Sequence, residues 1–315
     1  MLSLRDAGVG CFIGEFFVGA LAYADDIVLL APMACAMHRL LSICDEYSSE
    51  YSMLFSANKS KCLIFPVRHR FSTVYEKLQP FVIGGNKTDC VTRWSHLGHV
   101  INTQLIDDDD IVARKSQLIG QINSLICNFS KLDPLTRNRL FQAYCTSFYG
   151  CQIWDLCNTK LVEEFCIAWR KGMRRVWSLP ANTKSDAVYL VAGVIPIFDE
   201  LCKRLLNFVW SCYRSDSDLV RFVVKHGIDA RMNSPLGRNV TFCSLRYGVA
   251  VHNFCTLPLP NSFFREHFCK SLSPEFVHKV RCAFELIMIR ENVLSVPGVQ
   301  LTAEDCTWFI SQLLT

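Results

Sequence analysis

The chain lacks any strong excess of one charge: 33 Lys and Arg stand against 29 Asp and Glu, a formal balance of +4. A sum that small does not announce a nucleic-acid partner, because phosphate binding depends on local clusters of cations rather than on the total. A long uncharged apolar run is missing too. The longest candidate, from Val9 to Met37, is interrupted by Glu15, Asp25 and Asp26 well before the about 18 residues that a membrane-spanning helix needs, which argues against a span. There is no secretory signal pattern and no other targeting segment, so a cytoplasmic or nuclear location is expected. Neither an internal repeat nor a low-complexity tract is present. No Cys-x-x-Cys occurs, and the second of the pairs His252/Cys255 and His267/Cys269 is tightly spaced for a structural zinc site, so packing is the expected role of all four.

Half of the 315 residues are apolar and 12% are aromatic, which describes a folded protein of one large or two ordinary domains. The 17 cysteines read as reduced thiols, since a disulfide scaffold is usually a short secreted chain. Cys44, Cys145, Cys166 and Cys202 fall on apolar stripes, where a free thiol acts as a small hydrophobic residue.

Patterning divides the chain. From Cys11 to Leu30, short apolar runs broken by Gly14, Gly19 and Asp25-Asp26 predict two or three strands with the carboxylates at a turn. After Pro32, the spacing of Met33, Met37, Leu40, Leu41, Cys44 and Tyr47 predicts a helix packed on the strands. Further strands are expected at Leu63–Phe65 and His96–Ile101, with a hairpin at Phe81–Val91 around Gly84-Gly85-Asn86. Beyond the acidic run Asp107–Asp110, a helix cap and dipole partner, the period becomes helical: Leu118, Ile122, Leu125 and Phe129 share one face. Asp133-Pro134 starts the next helix, with Leu140, Phe141, Tyr144 and Phe148 inside, and others follow at Leu161–Trp177 and Leu201–Tyr213. The fold class expected is α+β, with a mixed region over 1–105, a helical region over 106–215 and a helical C-terminal region over 216–315.

The stretch Ala22-Tyr23-Ala24-Asp25-Asp26-Ile27-Val28-Leu29-Leu30-Ala31-Pro32 carries the chemistry. A bare Asp-Asp pair usually makes a solvated turn. Between apolar strands, however, two adjacent like charges are costly unless a cation is present. Phosphoryl transfer to a growing strand commonly uses two divalent ions roughly 4 Å apart, held by carboxylates converging from separate strands, and such a hairpin supplies half of that cradle.

Residues 22–32 closely resemble the polymerase motif of non-LTR (LINE-type) reverse transcriptases, and the resemblance continues in order. Asn58-Lys59-Ser60-Lys61-Cys62 resembles the next palm motif and His96-Leu97-Gly98-His99-Val100-Ile101 the hairpin that supports the primer end. Leu140–Cys145, Tyr149-Gly150, Trp154, Ala168-Trp169-Arg170-Lys171 and Leu179-Pro180 resemble the thumb and post-palm helices, so the match reaches about residue 210. It implies part of a palm sheet followed by a helical thumb, RNA-directed DNA polymerase (nucleotidyltransferase) chemistry with Mg²⁺, and an RNA template with a DNA primer as partners. By the same resemblance Asp25 is a metal ligand assisted by Asp26, Tyr23 lies close to the nascent strand, Lys59 or Lys61 approaches the incoming triphosphate, and Leu97-Gly98 serves the primer. Family members carry a further catalytic aspartate and a fingers subdomain upstream. Only 24 residues precede Asp25, with Asp6, read as a loop residue, and Glu15 as their acids, so a truncated polymerase inactive on its own is expected.

On the helix predicted over Leu161–Trp177, Arg170, Lys171, Arg174 and Arg175 gather opposite the apolar side, a face suited to tracking phosphates, with Arg137, Arg139, Lys203 and Arg204 as additions from neighbouring helices. This face carries the alternative reading, a non-catalytic helical module that binds nucleic acid or a partner protein.

Overall fold

Short apolar runs and tight turns shape the first hundred residues into hairpins. The computed structural model describes residues 2–66, 80–146, 148–157 and 159–291, together with Cys306, Thr307 and Ile310. The part of the expected 216–315 helical region beyond Glu291 otherwise lies outside the described residues. The chain forms two compact units, Met1–Asp107 and Asp108–Thr315. It mixes helix with short strands, as an α+β chain does.

In the first unit, helix α1 (Leu2–Asp6) precedes two hairpins, β1 (Phe12–Ile13) with β2 (Phe16–Phe17) and β3 (Ala20–Tyr23) with β4 (Asp26–Leu29). Their bases are knitted together: the Cys11 N–H donates to Leu30 O, the Leu30 N–H to Gly19 O and the Val18 N–H to Cys11 O. The knot needs glycine at 19, because a Cβ there would sit 2.4 Å from the Phe17 ring that packs across it. Four strands stand where two or three are expected. Asp6 ends α1 rather than lying in a loop.

Helix α2 (Ala34–Glu50) buries Leu40, Leu41, Ile43 and Cys44 in the core of this unit, beside Leu4, Ala20, Phe81 and Ile83. Met33 and Tyr47, expected on that face, are exposed; Tyr47 stacks on Tyr51 instead. The strand expected at Leu63–Phe65 falls earlier, as β5 (Lys61–Cys62), because that pair is in parallel register with β8 (Asp89–Cys90), 28 residues on. Between them, β6 (Val82–Ile83) and β7 (Asn86–Lys87) enclose Gly84-Gly85, both at positive φ, the geometry that a two-residue hairpin turn favours. The Gly84 N–H donates to Asp45 on α2 at 2.8 Å, tying this hairpin to the helix. The strand expected at His96–Ile101 is instead a hairpin, β9 (Arg93–His96) and β10 (His99–Asn102), turning at Leu97-Gly98 with φ of 47° and 78°. The described strands pair two by two rather than in one sheet.

The second unit is helical: α3 (Asp108–Phe129), α4 (Pro134–Tyr144), α5 (Thr159–Val176), α6 (Ser185–Ala192), α7 (Ile197–Tyr213), α8 (Asp218–Asp229), α9 (Pro235–Tyr247), α10 (Val251–Thr256), α11 (Asn261–Lys270) and α12 (Pro274–Arg290). Leu118, Ile122 and Leu125 of α3 are buried as their spacing predicts, while Phe129, the last residue of the helix, is exposed. Asp133 caps α4, its carboxylate accepting from the Thr136 N–H at 3.0 Å, and Phe141 of α4 is fully buried. Tyr144, expected inside, is 67% exposed, because α4 ends there and the chain turns away. Trp154, Phe165, Trp169, Met173 and Trp177 form the centre of a core that continues through Leu205 and Val209 to Val240, Phe264 and Ile287 without a break near residue 215. Buried Asn239 clamps this continuity: its Oδ1 accepts from the Leu156 N–H and its Nδ2 donates to Trp154 O. No helix among the described residues is long and apolar enough to cross a membrane.

Candidate active site and nucleic-acid interface

A two-residue turn with an alternating apolar flank is enough to place a pair of acids at a hairpin tip. In β3–β4, Tyr23 is the register partner of Asp26, and Ala24-Asp25 forms the turn. Ala24 holds φ of 53°, a left-handed conformation that costs an L-residue roughly 1 kcal/mol. Asp25 and Asp26 are exposed, and so are Leu21, Tyr23 and Ile27. The strands flanking the acids are thus buried only at their base, where Ala20 and Leu29 meet the α2 core, rather than along their length as their apolar character predicts.

The other residues assigned by resemblance stand on separate strand pairs. Lys59 is exposed in the turn before β5. The Lys61 ammonium pairs with the Asp89 carboxylate at 2.5 Å and lies 5.8 Å from the centre of the Trp94 ring, so its charge is already matched locally. Leu97, 39% exposed, and Gly98 form the β9–β10 turn. Asp6 pairs with Arg5, and Glu15 is exposed at the β1–β2 turn. Among the described residues, no three His, Cys, Asp or Glu side chains come together as a metal site would require. Mg²⁺ is commonly held by one or two carboxylates, with waters and substrate phosphates completing its octahedron.

The basic face on α5 is divided. Arg170 is held by Glu163; burial lowers its pKa, but hydrogen bonds to Glu163 and with Tyr189 more than offset this and leave it raised. Arg174 donates twice to the Thr183 carbonyl, and burial, with Arg170 nearby, lowers its pKa. Arg137, expected as an addition to the face, is buried, donates to Ser178 Oγ and has its pKa lowered by burial. The side chains of these three arginines are engaged by contacts within the helical unit. Lys171 and Arg175 remain exposed. They line a groove of about 460 Å³ between α3 and α5, together with Lys115 and the apolar side chains of Ile119 and Ile122. Lys115 pairs with Glu164 at 2.7 Å, and Arg175 donates to Asn123 Oδ1 at 2.7 Å. The groove therefore holds three cations against one carboxylate. Gly172 forms its floor, and the two helices approach so closely there that a Cβ would lie 2.3 Å from Ile122 Cδ1.

Lys115 was not singled out by the sequence pattern. It shows on α3 only as one charge among several ahead of Leu118, and the packing of α3 against α5 is what brings it beside Lys171. Lys203 and Arg204 line a different cavity, on α7. No protein-family model matches the chain, and no curated protein matches it.

Proposed function

We propose that the chain is part of an RNA-directed DNA polymerase of the non-LTR retrotransposon type, contributing the carboxylate hairpin of a palm and a helical thumb and post-palm region. The observation that carries this reading is the Tyr23–Asp26 hairpin: the acids of the motif stand at the tip of a two-residue turn, open to solvent, where a duplex end and its metal ions have access. The Leu97-Gly98 hairpin, in the order the resemblance requires, supports it. On this reading Asp25 and Asp26 supply one part of a two-magnesium cradle, and further carboxylates complete it.

A second reading is favoured by the α3/α5 groove, in which Lys115, Lys171 and Arg175 face one carboxylate: a non-catalytic module that binds nucleic acid through this groove. The test is magnesium-dependent extension of a primed RNA template by the purified chain, with template binding measured in parallel. Binding without extension, unchanged in Asp25→Ala/Asp26→Ala but lost in Lys171→Glu/Arg175→Glu, supports the binding module. Extension that disappears in Asp25→Ala/Asp26→Ala supports a working polymerase centre, completed by a ligand beyond those described. A chain that neither extends nor binds primed RNA overturns both.

A further inference from the structure

Away from the α3/α5 groove, the helical unit encloses a cavity of about 540 Å³ where the first turns of α7 and α11 meet the end of α4. Lys203, Arg204 and Arg265 line it, and Glu200 is the one carboxylate on its wall. Glu200 is shared, bonding Lys203 at 2.5 Å and Arg204 at 2.9 Å, so one negative charge answers two positive ones. Lys203 also donates to Asn261 Oδ1, and Arg204 to Thr146 O while it lies over the Phe148 ring. These bonds hold both cations at the wall in fixed positions. Arg265 is exposed and has no ion-pair partner among the described residues. The cavity wall thus carries a net charge of two, from three cations and one carboxylate.

Helix α11 begins after Pro260 with no side-chain cap, so its positive end adds to the charge of the cavity, whereas the first turn of α7 already carries Asp199 and Glu200. A cavity with an excess of cations beside an uncapped helix start suits an anion with several acceptor oxygens.

We propose that this cavity is a phosphoryl-binding site, taking a phosphate group either as a free ion or as the 5′-terminal phosphate of a nucleic-acid strand, with Arg265 as a residue that contacts it. The site is separate from the carboxylate hairpin and from the α3/α5 groove, and it does not depend on polymerase activity.

The experiment is calorimetric titration of the full chain with inorganic phosphate, then with a 5′-phosphorylated single-stranded oligonucleotide and its 5′-hydroxyl counterpart. Arg265 is exposed, so Arg265→Glu is expected to keep the fold, checked by circular dichroism, and to weaken phosphate binding by at least about tenfold, as loss and reversal of one charge-assisted contact would. Lys203→Met, which keeps the aliphatic stem, is expected to weaken it as well. Lys171→Glu/Arg175→Glu leaves inorganic phosphate binding unchanged, which separates this site from the groove. Preference for the 5′-phosphorylated oligonucleotide over inorganic phosphate identifies a strand as the source, and equal binding of phosphate with no such preference identifies the free ion. Absence of phosphate binding together with equal binding of the two oligonucleotides overturns the proposal, as does phosphate affinity unaltered in both Arg265→Glu and Lys203→Met.

Discussion

Trp154 donates its indole N–H to Asp110 Oδ2 at 2.8 Å, and neither residue has any exposed surface. The last acid of the Asp107–Asp110 run therefore does more than favour the start of a helix. It reaches inward, with Arg114 3.6 Å away, and anchors the tryptophan at the centre of the helical core. Asp110→Ala removes the acceptor of a buried indole donor and the carboxylate 3.6 Å from Arg114, an expected loss of about 3 kcal/mol. Asp110→Asn keeps an acceptor oxygen and costs less. Urea unfolding followed by tryptophan fluorescence measures both, and a loss below about 0.5 kcal/mol for Asp110→Ala would show that the bond contributes nothing net.

The cap on α4 makes stability depend on pH. Hydrogen bonds from Thr136 hold the Asp133 carboxyl below the usual aspartate range. A depressed pKa in the folded state means that the stabilisation is complete above the unfolded-state value and disappears as pH falls through the folded-state value. Asp133→Ala is expected to cost about 1 kcal/mol at neutral pH and to flatten this acid limb. Asp133→Asn keeps most of the cap and flattens the limb alone. Chemical denaturation at a series of pH values between about 2 and 7 separates the two effects.

The close approach of α3 and α5 at Gly172 predicts a paired effect. Ile122 is 2% exposed, so its terminal methyl cannot swing into solvent to make room for a new Cβ. Gly172→Ala is expected to destabilise by about 1–3 kcal/mol, despite alanine's better helix propensity. Ile122→Val removes the methyl that the new Cβ would strike, so the double variant should be more stable than Gly172→Ala alone. If the two costs simply add, the helices have separated rather than clashed.

Nucleic-acid binding through the α3/α5 groove has a salt signature. Each phosphate contact contributes about 0.7–0.9 to the slope of log affinity against log salt concentration, so Lys171→Ala/Arg175→Ala should reduce that slope by about 1.5. Arg170→Ala and Arg174→Ala, whose side chains serve Glu163 and Thr183, should lower stability and leave the slope alone. Fluorescence anisotropy of a labelled strand over a salt series gives the slopes. A slope unchanged by Lys171→Ala/Arg175→Ala removes the groove from consideration.

Thiol accessibility follows burial. Cys35, Cys90, Cys127 and Cys269 are exposed, whereas burial pushes the Cys145 and Cys151 thiols up to about 11 and the Cys166 thiol up to about 12. Iodoacetamide at pH 8 should modify the first group within minutes and the second only after denaturation, as peptide mass mapping would record. Modification of Cys166 in the native chain would mean that the helical core opens.

Much of the architecture is already present in local chemistry. The capping aspartate at Asp133 before Pro134, the Gly84-Gly85 turn and the 3.6-residue spacing on α2 and α3 act through neighbours a few residues away, so their signals survive in the linear sequence. The placing of the acids at a turn is of the same kind, with Tyr23 of β3 opposite Asp26 of β4. What could not be read locally is which partner each side chain meets. Arg170 and Arg174 share one helical pattern with Lys171 and Arg175, yet Glu163 and Thr183 engage the first two while the other two stay exposed. The parallel pairing of Lys61-Cys62 with Asp89-Cys90 joins segments far apart in the chain, and so shifts a strand that apolar content alone assigns to Leu63–Phe65. The exposure of Leu21 and Ile27 likewise follows from how little of the unit packs over the hairpin tip. Hydrogen-bonding and steric preferences within a turn are properties of adjacent residues, whereas burial and charge compensation are properties of the whole packed unit, and they arise only once distant segments have met.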